Sequence, residues 1–453
     1  MPTLFYHKST IIGKLHEYFS PYFRTLTRPT AQLLAWLMIA MIALQGVPSL
    51  RRLYMRFLSG IHNKSLEALY YACKHANLDA SDFAAATIQK VLSLLPPELD
   101  HYPCFLLLDD TLIPKFGKSF DHVRTLFDHA AKEKHRRYIN GHCFVSLSIG
   151  FPMFQGRNRF VEWITVPLCC RVWDGQKTKL ELADSMVRKA MKSMGNRRTV
   201  LLCDSWYATK STFSMVQSIP SLEIVCNVRC NARMHRLEIT RKGTRGPLPK
   251  QGELIHAGDI TSHSIRLGDL TVTSMEVTAE IANRQKVYAF VTTSESGSKR
   301  LFFSTLSRDA LNLEEFPPAQ MDLYHWSRPE VREHRHVLNY LVYSQRWAIE
   351  TGFYEMKAFW DLEAYMVRRA RSMETLGNLI HVAYAAMRIL PWTCEELSHL
   401  RWCSPQDVRY AISEQIHDQR ILCKTLRCLD FGEFFDIMHR RMASLICRYK
   451  NTA

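Results

Sequence analysis

Two short apolar runs, each followed directly by an aspartate, constrain the fold of this 453-residue chain more than any other feature. Cys104–Leu108 leads into Asp109, and Thr199–Cys203 leads into Asp204. Continuous apolar runs of this length are typical of strands that are buried on both faces. Open α/β sheets place their sites at the carboxyl ends of such strands. The two runs therefore predict an α/β core in which both carboxylates lie over one edge of the sheet, where they could attract Mg²⁺.

The pattern of apolar and polar residues divides the chain into five predicted segments. Strand-like runs and one helical run alternate after residue 101. Short strands joined by Gly- and Pro-bearing loops follow, one of them predicted at residues 236–240, and helical patterns occupy both ends. The segments are a helical domain over residues 1–100, the first part of the core over 101–221, a β-rich insertion over 222–305, the second part of the core over 306–390 and a helical C-terminal region over 391–453.

One apolar segment, Leu33–Leu44, resembles a membrane span but is shorter than the roughly 20 residues that a bilayer requires. It predicts a buried helix of a soluble domain, with no membrane partner. The 13 cysteines are scattered, and no secretory signal precedes them. Reduced thiols in the cytoplasm are the expected state.

The chain is strongly basic, with 59 Lys and Arg against 43 Asp and Glu and a formal net charge of +16. Most of this excess lies in the middle of the chain rather than in a tail. Such a distribution favours a polyanionic partner bound by the folded surface. A soluble protein that is merely basic is the alternative.

A basic helix is predicted to follow a turn at residues 46–48, with Ser49 as its N-cap. It carries Arg51, Arg52 and Arg56. A helix, a tight turn and a basic helix could form a helix-turn-helix DNA reader. A helical bundle with a solvated basic face is the alternative.

Four polar residues near the C-terminal end of the predicted core share one helical stripe. Tyr343, Arg346, Glu350 and Lys357 fall within about 60° of helix surface at 100° per residue. Unpaired charges are costly to bury, so this stripe is not expected to face the core. The stripe adds a third acid to the two aspartates.

The spacing Tyr-x2-Arg-x3-Glu-x6-Lys resembles the signature of bacterial insertion-sequence transposases of the DDE class, and the resemblance extends over about residues 30–390. Other segments are similar to the acidic strands, a connecting segment and a basic turn of this family. They are LLLDDTLIPKFGK (106–118), TVLLCDSWYATK (199–210), YINGH (138–142) and RKGTRGPLPKQG (241–252).

The resemblance implies an RNase H-like catalytic core with a β-rich insertion, in which Asp109, Asp204 and Glu350 bind two Mg²⁺ ions, with Mn²⁺ able to substitute. It implies metal-dependent cleavage and strand transfer of DNA, with the three other stripe residues holding the DNA backbone. The implied partners are the terminal inverted repeats of the element, its target DNA and a second copy of the chain. The implied location is the bacterial cytoplasm at the nucleoid.

The first metal ligand is ambiguous because Asp109 and Asp110 are adjacent, and strand alternation sends them to opposite faces. The family pattern of Asp, any residue, then Ser or Thr favours Asp109 in Asp109-Asp110-Thr111. Two other functions remain open: a Mg²⁺-dependent nuclease of the same fold without strand transfer, and a DNA-binding protein whose acidic triad is vestigial.

Overall fold

The computed structural model describes residues 10–46, 49–117, 119–128, 137–156, 160–240, 248–306 and 336–428, with residues 329 and 441. Its helices are α1 (Ile11–Phe19), α2 (Arg28–Ala43), α3 (Leu50–Arg56), α4 (Leu66–His75), α5 (Ala80–Leu94), α6 (Lys179–Met194), α7 (Lys210–Gln217), α8 (His336–Ser344), α9 (Trp347–Trp360), α10 (Ala370–Thr393) and α11 (Pro405–Cys428). Its strands are β1 (Cys104–Pro114), β2 (Arg124–Phe127), β3 (Tyr138–Gln155), β4 (Phe160–Val172), β5 (Thr199–Cys203), β6 (Leu222–Val228), β7 (Met234–Arg236), β8 (Leu254–Ile255), β9 (Ile265–Leu267), β10 (Leu270–Ala279), β11 (Gln285–Ser294) and β12 (Lys299–Ser304).

The described strands form one mixed 12-stranded sheet with the order β2-β3-β1-β5-β6-β12-β11-β10-β7-β8, in which β4 also pairs with β3 and β9 with β10. At its centre β1, β5 and β6 run parallel, and every residue of β5 is buried. Antiparallel β12 then joins the edge of β6. The strands after residue 222 therefore continue the central sheet, and the fold is mixed α/β.

Strand β1 is longer than its apolar run predicts. The parallel ladder with β5 ends at Leu108, but β1 continues to Pro114 because β3 pairs with it in antiparallel register along its whole outer edge. Asp109 and Asp110 therefore lie inside a strand and not at its end. Asp109 and Asp110 are nevertheless the first two residues of β1 beyond its parallel ladder with β5.

The apolar run at Leu33–Leu44 forms most of α2, in which every residue from Leu33 to Ala43 is buried, so the predicted buried helix is confirmed. The last carbonyls of a helix have no partner within it. In α2 they are satisfied from α11: Arg409 donates to the Met41 carbonyl at 2.6 Å and Ser413 to the Ala43 carbonyl at 2.8 Å. The N-terminal and C-terminal helices thus pack together.

One hydrophobic core includes residues from Ile11 to Ile416 and from most strands of the sheet. One predicted strand was wrong in part: of the run at residues 236–240, only Arg236 belongs to a strand, because the pairing of β10 with β7 ends there. The division into five segments stays a prediction, and its segment 306–390 and the basic turn at 241–252 lie partly outside the described residues. Within the described part of the chain, no helix is both long enough and apolar enough to cross a bilayer.

Candidate active site

The sheet brings the two predicted aspartates to neighbouring positions. Leu108 and Cys203 are the last paired residues of the parallel β1–β5 ladder, so Asp109 and Asp204 follow side by side. Asp109 Oδ1 accepts the Asp110 amide at 2.8 Å. Asp204 Oδ1 accepts the amide of Trp206 at 3.0 Å, which fixes the turn that leads from β5 into α7.

The stripe that carries the third acid spans two helices and not one. Between α8 and α9 the backbone makes tighter bonds between residues three apart: Gln345 N–H donates to the Val342 carbonyl and Arg346 N–H to the Tyr343 carbonyl. Arg346 thereby becomes the N-cap residue of α9, and Glu350 lies in its first turn.

Arg346 joins two of the three predicted acids. Its Nη1 lies 2.9 Å from Asp109 Oδ2 and its Nη2 lies 2.5 Å from Glu350 Oε1. Arg346 is only 8% exposed, so the expectation that the stripe avoids the core was wrong. Burial is tolerated because the guanidinium is paired with two carboxylates, which offset much of its desolvation cost.

Burial and mutual repulsion act on both aspartates. Burial raises the pKa of Asp109 to about 7, the charge of Arg346 opposes this shift, and the charge of Asp204 adds to it. Burial also raises the pKa of Asp204, although the backbone amides of Tyr207 and Trp206 donate to its carboxylate and favour the ionised form. Two carboxylates pushed towards protonation in one place need an added positive charge to stay ionised together.

The donor set suits a hard divalent cation, because all three candidate ligands offer carboxylate oxygens. Within the described residues, however, no three His, Cys, Asp or Glu side chains come close enough together to form a metal site. The physical reason is that the Arg346 guanidinium lies between Asp109 and Glu350. Its Nε has no hydrogen-bond partner within the described structure, so the arginine is incompletely bound there.

The side chains of Tyr343 and Lys357 both contact other side chains or backbone of this chain. Tyr343 is 9% exposed and packs edge-on against Phe302 of β12, with ring centroids 4.9 Å apart. Lys357 Nζ donates to the Leu112 carbonyl at 2.9 Å and pairs with Glu363 at 2.9 Å. The bond from Lys357 to Leu112 fastens α9 to β1 and so fixes Glu350 relative to Asp109.

A second polar cluster on the opposite face of β1 was missed by the sequence reasoning. Asp110 accepts a hydrogen bond from Tyr207 Oη at 2.8 Å, from Lys179 Nζ at 2.8 Å and from Cys143 Sγ at 3.0 Å. Tyr207 belongs to the turn that begins at Asp204, so this cluster ties the second aspartate's turn to β1. No local sequence signal relates these four residues, which come from four separate segments.

Arg229 is a second residue that the sequence reasoning missed, although a signal for it existed. It directly follows β6, the third parallel strand, just as Asp204 directly follows β5. The register of β6 with β12 pairs Val228 with Leu301, which places Arg229 beside Arg300. Arg229, Lys299 and Arg300 line a cavity of about 370 Å³ together with Asp204 and Arg346.

The three arginines predicted to bind DNA lie on α3, at a distance along the chain from the acids. Arg51, Arg52 and Arg56 are all exposed. The predicted cap is confirmed, since Ser49 Oγ accepts the Arg52 amide at 3.2 Å. The turn before it includes residues 47 and 48, which lie outside the described residues.

The family model of the DDE superfamily endonucleases matches residues 21–286, which is more than half of the chain. This protein therefore belongs to the DDE superfamily of endonucleases. The matched range contains Asp109 and Asp204 and ends before Tyr343. A comparison with curated proteins gives no match. Family membership implies DNA as the substrate class and dependence on a divalent metal ion.

Proposed function

We propose that this protein is the transposase of a bacterial insertion sequence, which cuts DNA at the ends of the element and joins the freed ends to target DNA. The observation that carries the proposal is the placement of Asp109 and Asp204 side by side just beyond the parallel β1–β5 ladder, with Arg346 linking Asp109 to Glu350. Family membership supports the endonuclease part.

The proposed reaction consists of two displacements at phosphorus. In the first, a water oxygen forms a bond to phosphorus while the bond to the 3′ oxygen breaks, which yields a 3′ hydroxyl and a 5′ phosphate. In the second, that hydroxyl oxygen attacks a phosphorus of the target strand and displaces a 3′ oxygen there. Each attacking oxygen loses a proton and each leaving oxygen gains one.

Asp109, Asp204 and Glu350 are the residues that would hold the divalent ions, Mg²⁺ or Mn²⁺. The chemistry supplied when such ions are bound is neutralisation of the phosphate and activation of the attacking oxygen. Because Arg346 now neutralises Asp109 and Glu350, we propose that its guanidinium turns to the DNA phosphate when the acids take up metal. Arginine can hold a phosphate through two parallel hydrogen bonds.

The remaining parts of the proposal concern assembly. The core is proposed to be RNase H-like, since parallel β1 and β5 flanked by antiparallel β3 carry two of the acids. The exposed arginines of α3 are proposed to bind the terminal inverted repeats, and two copies of the chain to act together at the bacterial nucleoid. Tyr343 and Lys357 are proposed to position the helix that faces the DNA backbone.

A strand-transfer assay tests this function. The full chain is incubated with Mg²⁺, a DNA fragment that carries the element's own end, and a supercoiled target, with Asp109→Asn as the matched inactive control. We expect 3′-end nicking followed by joined products. Nicking without joining would identify a nuclease, and end binding without nicking would identify a decayed DNA-binding protein. Inverted repeats in the DNA that flanks the gene would supply the fragment.

A further inference from the structure

A basic groove extends from Asp204 away from the other acids. The cavity of about 370 Å³ beside Asp204 adjoins a second cavity of about 420 Å³, and Ser205 and Arg229 line both. Trp206, Lys210 and Arg233 line the second cavity. Arg229 thus stands where the two cavities meet.

Within the described residues, four cations of this groove have no acidic partner, and a fifth, Arg233, lies 4.0 Å from Glu280. Lys210, Arg229, Lys299 and Arg300 are exposed, and none of them has a carboxylate within 4.0 Å in the described part of the chain. By contrast, Arg266 and Lys286 of the same β-rich region pair with Glu295 and Glu276 at 3.0 and 3.2 Å. These four unpaired cations outnumber Asp204 and Glu280, the two acids that line the cavities, so the groove attracts an anion.

The groove has a shape that favours a chain of phosphates over a single small anion. It begins at Asp204, a proposed metal ligand, passes Arg229, which lines both cavities, and continues to Lys210 and a half-exposed Trp206. Cations that follow a backbone beside an aromatic ring are the usual means of binding a single strand of nucleic acid.

We propose that this groove binds the single strand of DNA on one side of the cut through consecutive phosphates, with Arg229 holding a phosphate that neighbours the scissile one. Lys299 and Arg300 surround the strand near Asp204, and Lys210 binds it farther along. The position of the strand relative to the cut rests on the proposed function. The binding of a single strand by this groove does not depend on that function.

The test uses the full chain and a fluorescent single-stranded oligonucleotide of mixed sequence, with anisotropy measured against salt concentration without metal. We expect Arg229→Ala to weaken binding about tenfold and to reduce the salt slope by about 0.7, the value for one phosphate contact to a single strand. Arg229→Lys should keep the slope and lose part of the affinity. Arg266→Ala and Lys286→Ala, which remove paired cations outside the groove, serve as matched controls and should bind like wild type.

A second measurement locates the phosphate. Duplex substrates that carry one neutral methylphosphonate at successive positions are cut by wild type and by Arg229→Ala. At one position beside the cut, we expect the methylphosphonate to slow cleavage by wild type about tenfold. The same methylphosphonate should slow Arg229→Ala little further, because this variant has already lost the contact with that phosphate.

The outcomes separate the two proposals. Binding by Arg229→Ala equal to that of the controls, or a methylphosphonate effect that persists undiminished in this variant, would overturn the groove. Strand binding that depends on Arg229 in a wild-type protein that cuts no DNA would overturn the proposed function and leave the groove standing.

Discussion

The two faces of β1 hold adjacent aspartates in opposite situations. Asp109 shares Arg346 with Glu350, lies beside Asp204 and has its pKa raised to about 7 by burial. Asp110 accepts bonds from Lys179, Tyr207 and Cys143, all supplied by fixed elements of the fold. From this contrast we predict that Asp109 exchanges its partner when metal binds, whereas Asp110 serves as a crosslink.

The largest expected effect tests which aspartate is the metal ligand. Asp109→Asn, Asp204→Asn and Glu350→Gln should each slow DNA cleavage by at least about 1,000-fold, equivalent to about 4 kcal/mol of transition-state stabilisation. Asp110→Asn is the matched control and should cut far faster than Asp109→Asn. Single-turnover cleavage measures this, and the reverse order would move the first ligand to Asp110.

The next effect follows from the pKa of Asp109. Below about pH 7 a proton must leave Asp109 before metal binds, so metal affinity should fall up to about tenfold for each pH unit. In metal-free protein, the stability of the fold should change with pH in the opposite direction to metal affinity. The folded pKa lies above the unfolded value of about 3.8, so the folded chain binds more protons, and the free energy of unfolding should fall as pH rises from about 4 to 7.

Calorimetric metal titration and denaturant unfolding between pH 4 and 8 check both signs. Asp109→Asn should show a flatter stability profile over this range, because it has no carboxyl group at this position. An identical slope in the variant and in wild type would assign the pH dependence to other groups.

Substitutions in the cluster around Asp110 should mainly lower the stability of the fold. Asp110→Asn should lower the free energy of unfolding by about 2 kcal/mol, because the partly buried Lys179 loses its charged partner. Tyr207→Phe should lower it by about 1 kcal/mol and slow cleavage modestly, since the turn that carries Asp204 loses its bond to β1. Denaturation midpoints measure this, with exposed Lys286→Met as control. Unchanged midpoints would show that Asp110 is no crosslink.

The smallest effect concerns the exchange of Arg346 for metal. At pH 8.5, where Asp109 is ionised, Arg346→Gln should bind Mn²⁺ a few-fold more tightly in the absence of DNA, because a competing cation is removed. Arg266→Gln, which removes an exposed cation paired with Glu295 outside the site, should bind as wild type does. Weaker metal binding by Arg346→Gln would mean that the guanidinium organises the acids.

Local pattern predicted much of this site because it resides in short segments. The run Thr199–Cys203 has the same bounds as β5, and the same rule that singled out Asp204 applies to Arg229 after β6. The bounds of β1 were beyond this reasoning, since its last residues are strand only because β3 lies beside them. The same holds for Leu237 and Ile239, which have the composition of a strand but no partner beyond Arg236.

The sequence by itself determined that an aspartate follows each of two buried apolar runs, that an apolar helix is buried near the N-terminus, and that Arg346 and Glu350 lie one helical turn apart. These features depend on residues close in the chain, where backbone geometry fixes the neighbours. The tertiary structure decided that Arg346 reaches Asp109, that Lys179 and Tyr207 meet at Asp110, and that Arg229 stands beside Arg300. Those pairs are far apart in the chain, so ladder register and packing, which no local pattern encodes, bring them together.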